Sequence, residues 1–173
     1  LDRDTSGLVL LAKNPYSSCV LSDAVKDHTI HREYAAIVSG KTDASGTIDL
    51  PIARKDGSTI ERVCDPERGE TAVTHYRTFA YNKDADISFI RLLLETGRTH
   101  QIRVHMKAIG HPLPGDFLYC PDYRFIDRQP LHSTYLRFSH PVTGEKLEFS
   151  ASLPEDMRKL FPDIKNPSGP VFF

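Results

Sequence analysis

The chain has 173 residues, 39% of them apolar and 26% charged, with a formal net charge of −1 and a pI near 6.8. That size fits one domain with a proper core, and the charge balance excludes a strongly basic nucleic-acid wrapper. No apolar run nears the 18 or so residues a membrane helix needs. Cys19, Cys64 and Cys120 are odd in number and lack disulfide or zinc spacing, so a reducing cytoplasm is expected.

The first seven residues, Leu1-Asp2-Arg3-Asp4-Thr5-Ser6-Gly7, pack two carboxylates, a guanidinium, two hydroxyls and a glycine ahead of an apolar run. A loop fed into a buried strand is held rigid and suits a fixed carboxylate; the plainer reading is a solvated turn. Asp2 and Asp4, two apart on an extended loop, are equal candidates from the residues alone. Leu8 to Lys13 predicts a central strand. Asn14-Pro15 predicts a helix start, with Asn as N-cap and Pro in the first turn, running to about Asp27. Arg32 to Ser39 alternates, with Tyr34, Ala36 and Val38 on one face and Ala35 and Ile37 on the other.

Residues 41 to 70 are punctuated by Gly, Pro and Asp and read as loop-rich. Thr71 to Ala80 and Ile87 to Leu94 predict two adjacent strands. Thr99 to Ile109 predicts a helix with Thr99 as cap and Ile102, Met106 and Ile109 as its apolar stripe, stopped by Gly110 and Pro112. His100, Arg103 and Lys107 then share a cationic polar face, at i, i+3 and i+7. From Arg91 to Lys107 four basic residues face only Glu95, a local basic stripe despite the neutral total. Two more strands are expected over 134–151 around the turn at 142–145. A short helix near Asp156 to Leu160 interrupts an irregular tail containing Pro154, Pro162, Pro167 and Pro170.

His100, His105 and His111 invite a metal reading. A five-residue step rotates two side chains by about 140° on a helix, whereas paired ligands need i, i+4 spacing. No metal site is expected there.

Five segments in order resemble the RluA-type pseudouridine synthases, which isomerise uridine in ribosomal or transfer RNA. Leu1 to Gly7 matches the end of that family's His-Arg-Leu-Asp-x-x-Thr-Ser-Gly motif. Arg32-Glu33-Tyr34 through Gly40 is similar to its tyrosine strand, and Thr96 to His105 to its arginine helix. Gly110 to Asp116 is similar to the turn after that helix. Leu131-His132-Ser133 with Phe138 to Glu145 resembles its closing hairpin. The resemblance implies an α+β fold with a mixed, mainly antiparallel sheet and flanking helices, and a catalytic domain over 1–173 that lacks its N-terminal strands. Val63 to Glu70 and the modest length suggest a minimal family member.

The resemblance also assigns roles. Asp2 takes the nucleophile position, while Asp4 falls at a variable one and is left to the turn. Arg103 becomes the ionic partner of Asp2, since an arginine beside a carboxylate favours its ionised form and fixes it. Tyr34 offers a stacking face and a hydroxyl, and Ile102 an apolar contact from the other side. Arg98, His100 and Lys107 are expected to contact RNA, as is the 41–70 segment. The activity implied is cofactor-free, on structured rRNA or tRNA, by a monomer with no membrane contact, and with modest salt dependence. A non-catalytic RNA-binding module or inactive fragment, and a metal-dependent hydrolase, are the rivals.

Overall fold

The computed structural model describes residues 1–164 and 169–172. In chain order its elements are β1 (Ser6–Gly7), α1 (Pro15–Lys26), β2 (His31–Ser39), β3 (Ser45–Asp49), β4 (Ile52–Arg54), β5 (Arg62–Cys64), β6 (Val73–Asn82), β7 (Ile87–Leu94), α2 (Gln101–Ala108), β8 (Leu131–Ser139), β9 (Lys146–Ser150) and α3 (Glu155–Arg158). Seven strands form one sheet in the order β1-β8-β2-β7-β6-β3, with β9 also on β8, and β4 and β5 form a separate ribbon. Only β1 with β8 is parallel; every other pair is antiparallel. This is the α+β architecture expected.

Alternation explains the middle of the sheet. Tyr34, Ala36 and Val38 of β2 join Ile90 and Leu92 of β7 and Ile102 and Met106 of α2 on one face. Ala35 and Ile37 point the other way, to Phe89, Leu153, Met157 and Phe161 around α3. Each large aliphatic side chain so buried contributes about 1.5–3 kcal/mol. Across the second face the fully buried Glu33 and Arg91 pair at 2.8 Å. Glu33 also accepts the Val171 and Phe172 amides at 2.9 and 3.0 Å, tying the last described residues to the sheet.

Three expectations need correction. Leu8 to Lys13 is not a strand: only Ser6 and Gly7 pair with β8, followed by one bond from Leu8 N–H to the Ser133 carbonyl at 3.1 Å. Leu8 and Leu10 pack towards α1 while Val9 and Leu11 are exposed, so the run serves as an apolar strap. A continuous apolar run carries no period that would separate the two. The second is one of degree: residues 41–70 are loop-rich as expected, but between the loops they also hold β3 and the β4–β5 ribbon.

The third is the start and face of α2. Thr99 does not cap it; His100 occupies the cap position with φ 58° and no side-chain cap bond. The Gln101 side chain ties the preceding turn instead, accepting from Arg98 N–H at 2.9 Å and Thr96 Oγ1 at 2.8 Å. Residues 101–106 are all buried, Arg103 included, while Lys107 and Ile109 are exposed, so the cationic face is split and the expected apolar stripe ends at Met106. α1, by contrast, begins as expected, Asn14 Oδ1 accepting from Ser17 N–H at 2.8 Å. In the tail, Pro167 lies outside the described residues.

Candidate active site

The acidic loop is held at several points. Gly7 has φ 108°, and a Cβ there would lie 2.2 Å from the Ser133 carbonyl oxygen, so only glycine permits this approach to β8. Ser6 Oγ meets His132 Nδ1 at 2.8 Å. Thr5 N–H closes a turn onto the Asp2 carbonyl at 3.1 Å. Arg128 donates to the Asp4 carbonyl at 3.1 Å and Gln129 to that of Arg3. Asp4 sits at φ 68°, its carboxylate taking the exposed Arg3 at 3.0 Å. It shapes the turn, while Asp2 points inward.

Asp2 Oδ2 accepts from Arg103 Nη1 at 3.0 Å. The guanidinium uses its other edge on Asp116, donating from Nε to Oδ2 at 2.6 Å and from Nη2 to Oδ1 at 2.7 Å. Arg103 is 1% and Asp116 0% exposed. A forked pair of this kind is short, strong and directional. The rings of Tyr119 and Phe117 flank the cation, with centroids 5.0 and 5.6 Å away. Burial works against the Arg103 charge, yet the bonds and charges of Asp116 and Asp2 outweigh it and raise its pKa. Asp116 Oδ1 further accepts the Leu118 and Tyr119 amides at 3.0 and 3.2 Å, so its own position is fixed by the turn.

In front of this relay is a pocket of about 260 Å³ whose wall includes Asp2, Tyr34, Arg32, Arg98, His100 and Ile102. It is slightly smaller than the usual ligand pocket, about 300–1,000 Å³. A register shift between Glu33 and Tyr34 opposes β8 with one residue extra, and such bulges re-aim a neighbouring side chain. Tyr34 is 9% exposed. Burial pushes its phenol up, against the pull of Arg32, so near neutral pH the ring is an uncharged stacking surface.

His100 Nδ1 lies 2.9 Å from the Tyr119 hydroxyl, which accepts the Arg62 amide at 2.8 Å. The hydroxyl proton is thus free to go to His100, and burial together with Arg103 lowers the histidine pKa. A neutral imidazole satisfies both observations.

Of the six expected site residues, Asp2, Tyr34, Arg98 and His100 meet at one pocket, with Ile102 beside them. Arg103 stands behind Asp2 and does not reach the pocket wall. Lys107 is exposed, its Nζ 5.5 Å from the Tyr119 ring on the far side. Arg98 is engaged by the Glu70 carboxylate and the Thr71 carbonyl. The three histidines separate: His105 bonds Thr74 Oγ1 and the Leu50 carbonyl, and His111 donates to that of Ser39, each at 2.9 Å.

Two residues were missed from sequence. Asp116 lies at the end of the Gly110–Asp116 motif, and its glycine neighbour was the signal: Gly115 has φ 78° and comes so near the Ile126 and Arg128 carbonyls that a Cβ would be 2.5 Å away. Arg32 opens the tyrosine motif; its Nε is buried without a hydrogen-bond partner among the described residues, beside the pocket.

Comparison with known proteins bears on the fold and the family. The family described as RNA pseudouridylate synthase matches residues 1–108. An uncharacterized RNA pseudouridine synthase of Bacillus subtilis, YjbO, is 50% identical over 161 residues, covering 92% of this chain and 56% of the relative. A ribosomal large subunit pseudouridine synthase D of Zymomonas mobilis is 41% identical over 174 residues, covering 93% and 53%. Human RNA pseudouridylate synthase domain containing 1 superposes with TM-score 0.75 at 28% identity, covering 87% of this chain and 66% of that one. The chain spans about half the length of the curated relatives it matches. On the family match over more than half of its length and these identities, the chain belongs to the RNA pseudouridylate synthase family.

Proposed function

We propose that this chain carries out the isomerisation of uridine to pseudouridine in structured rRNA or tRNA, with Asp2 as nucleophile and no cofactor. The observation that carries the reading is the carboxylate of Asp2 at the wall of a small pocket, aimed from behind by an arginine that Asp116 itself holds. The reaction breaks the N1–C1′ bond, turns the base and joins C5 to C1′; C5 loses a proton and N1 gains one, so composition is unchanged. A carboxylate needs no activating base for nucleophilic work near neutrality. Arg103 is a positioning residue, since it does not touch the pocket. Tyr34 supplies the face on which the base is held while it is detached, with Ile102 opposite.

A paired or stacked uridine must leave its stack to enter such a pocket, at a cost of a few kcal/mol. Arg32, its Nε unpartnered among the described residues, and Arg98 and His100 are the groups proposed to meet the extruded nucleotide and its phosphates. Lys107 is assigned to RNA outside the pocket. Three cysteines without disulfides fit work in the cytoplasm.

The test is tritium release from rRNA and tRNA transcripts carrying uridine labelled at C5. Release from one of them is expected. RNA binding with no release from either favours a non-catalytic binding module and overturns the proposal.

A further inference from the structure

The β4–β5 ribbon sets Arg54 directly opposite Arg62. Residues opposed in this way have Cβ atoms about 4.5–5.5 Å apart, and like charges there repel. Alternation makes the placement less expected still. Ile52 and Cys64 form the neighbouring pair on the same face, and Ile52 packs with Val104 and Tyr119 in the interior, whereas Val63 on the other face is exposed. The two arginines therefore share the face of Ile52 and Cys64, Arg54 exposed and Arg62 half-buried at its open end.

Neither arginine has a carboxylate within ion-pair distance among the described residues. The Arg62 guanidinium donates to the carbonyls of Ile60 and Glu61, each at 3.1 Å, and the Glu61 carboxylate is taken by Lys55 at 2.8 Å. Both line a hollow of about 360 Å³ that also includes Arg68, Arg98, Glu70 and Thr99. Arg68 is engaged by Asp56 and Asp65, at 2.9 and 2.8 Å, and Arg98 by Glu70. The uncompensated charge of the hollow is thus that of Arg54 and Arg62. The 97–99 stretch is a wall shared with the active-site pocket. The Arg62 amide also bonds Tyr119, whose hydroxyl meets His100 there, so the ribbon is held in fixed relation to that pocket.

We infer that Arg54 and Arg62 clamp one phosphodiester of the RNA strand adjoining the nucleotide in the active-site pocket. A phosphodiester offers one negative charge on two non-bridging oxygens, one for each guanidinium, and its arrival removes the repulsion between them. The inference rests on the function proposed above. Charges on a short edge ribbon also protect it from aggregation, with no ligand involved. The two roles separate experimentally, because relieving the repulsion in a binding site leaves the fold as stable or more so.

The test compares the unsubstituted protein with the double variant Arg54→Gln, Arg62→Gln. Binding of a fluorescein-labelled oligouridylate is followed by anisotropy across a KCl series, alongside thermal unfolding. The clamp predicts weaker binding, a log K against log[salt] slope shallower by about 0.7, the value of one single-strand phosphate contact, and a Tm unchanged or raised. Equal slopes in the two proteins overturn the clamp alone and leave the proposed function standing. A shallower slope with a lowered Tm overturns it in favour of a structural role. Failure of the unsubstituted protein to bind the oligouridylate overturns the clamp, while the tritium-release assay on rRNA and tRNA transcripts decides the proposed function.

Discussion

Asp116 grips Arg103 through two parallel hydrogen bonds of 2.6 and 2.7 Å and leaves it one end for Asp2, 3.0 Å away. Asp116 is fully buried and anchored by the amides of its own turn, whereas the Asp2 side chain is 23% exposed. The order of constraint runs from turn to carboxylate to guanidinium to Asp2. The acid at the pocket wall is aimed by groups that never touch what enters the pocket.

Asp116→Asn is expected to remove the charge that compensates a buried guanidinium. Breaking one partner of such a pair costs about 3–5 kcal/mol, which at about 2–4 °C per kcal/mol for a chain of this size lowers Tm by roughly 10 °C. Thermal unfolding checks this; an unchanged Tm contradicts the assignment of Asp116 as the anchor.

Arg103→Lys keeps the charge and loses the fork, so one ammonium cannot serve Asp116 twice and reach Asp2 as well. Because Arg103 lies behind the pocket, the expected outcome is a fall in kcat of at least an order of magnitude with little change in KM. Steady-state kinetics of tritium release give the split. A raised KM at unchanged kcat makes Arg103 an RNA contact instead.

Stability should fall on mild acidification. Burial, first among the causes, lowers the pKa of His105, His132 and His100 below the ordinary 6.5, with Arg128 adding to it at His132 and Arg103 at His100. The unfolded chain then binds more protons than the folded one once pH drops below about 6.5, so stability present above that value is lost progressively beneath it. Tm measured from about pH 7.5 to 5.5 should decline, and His105→Gln should flatten the slope. A Tm that holds or rises over that range contradicts the neutral, buried state of these rings.

The alternating segments were legible because each carried its period on its face. Tyr34, Ala36 and Val38 read correctly as one side of a strand, and Asn14-Pro15 as a helix start, since both patterns are local. Leu8 to Lys13 misled because a run apolar at every position has no period, and its fate depends on how far Ser133 lets the chain pair. What covers Arg103 was not legible, because helical spacing gives the angle of a side chain and not its surroundings; the cover is Asp116, Phe117 and Tyr119 from the following turn. The Asp2–Arg103 pairing came from resemblance, since no spacing rule links residues 101 positions apart. Arg54 opposite Arg62 was invisible until a register existed, the ribbon having been read as loop.

The assignment of Asp2 is tested most directly by Asp2→Asn in the tritium-release assay, with RNA affinity measured in parallel. Asparagine keeps the shape and removes the nucleophilic carboxylate, so release should vanish while binding persists. Continued release of tritium from the C5 position by this variant would contradict Asp2 as the nucleophile.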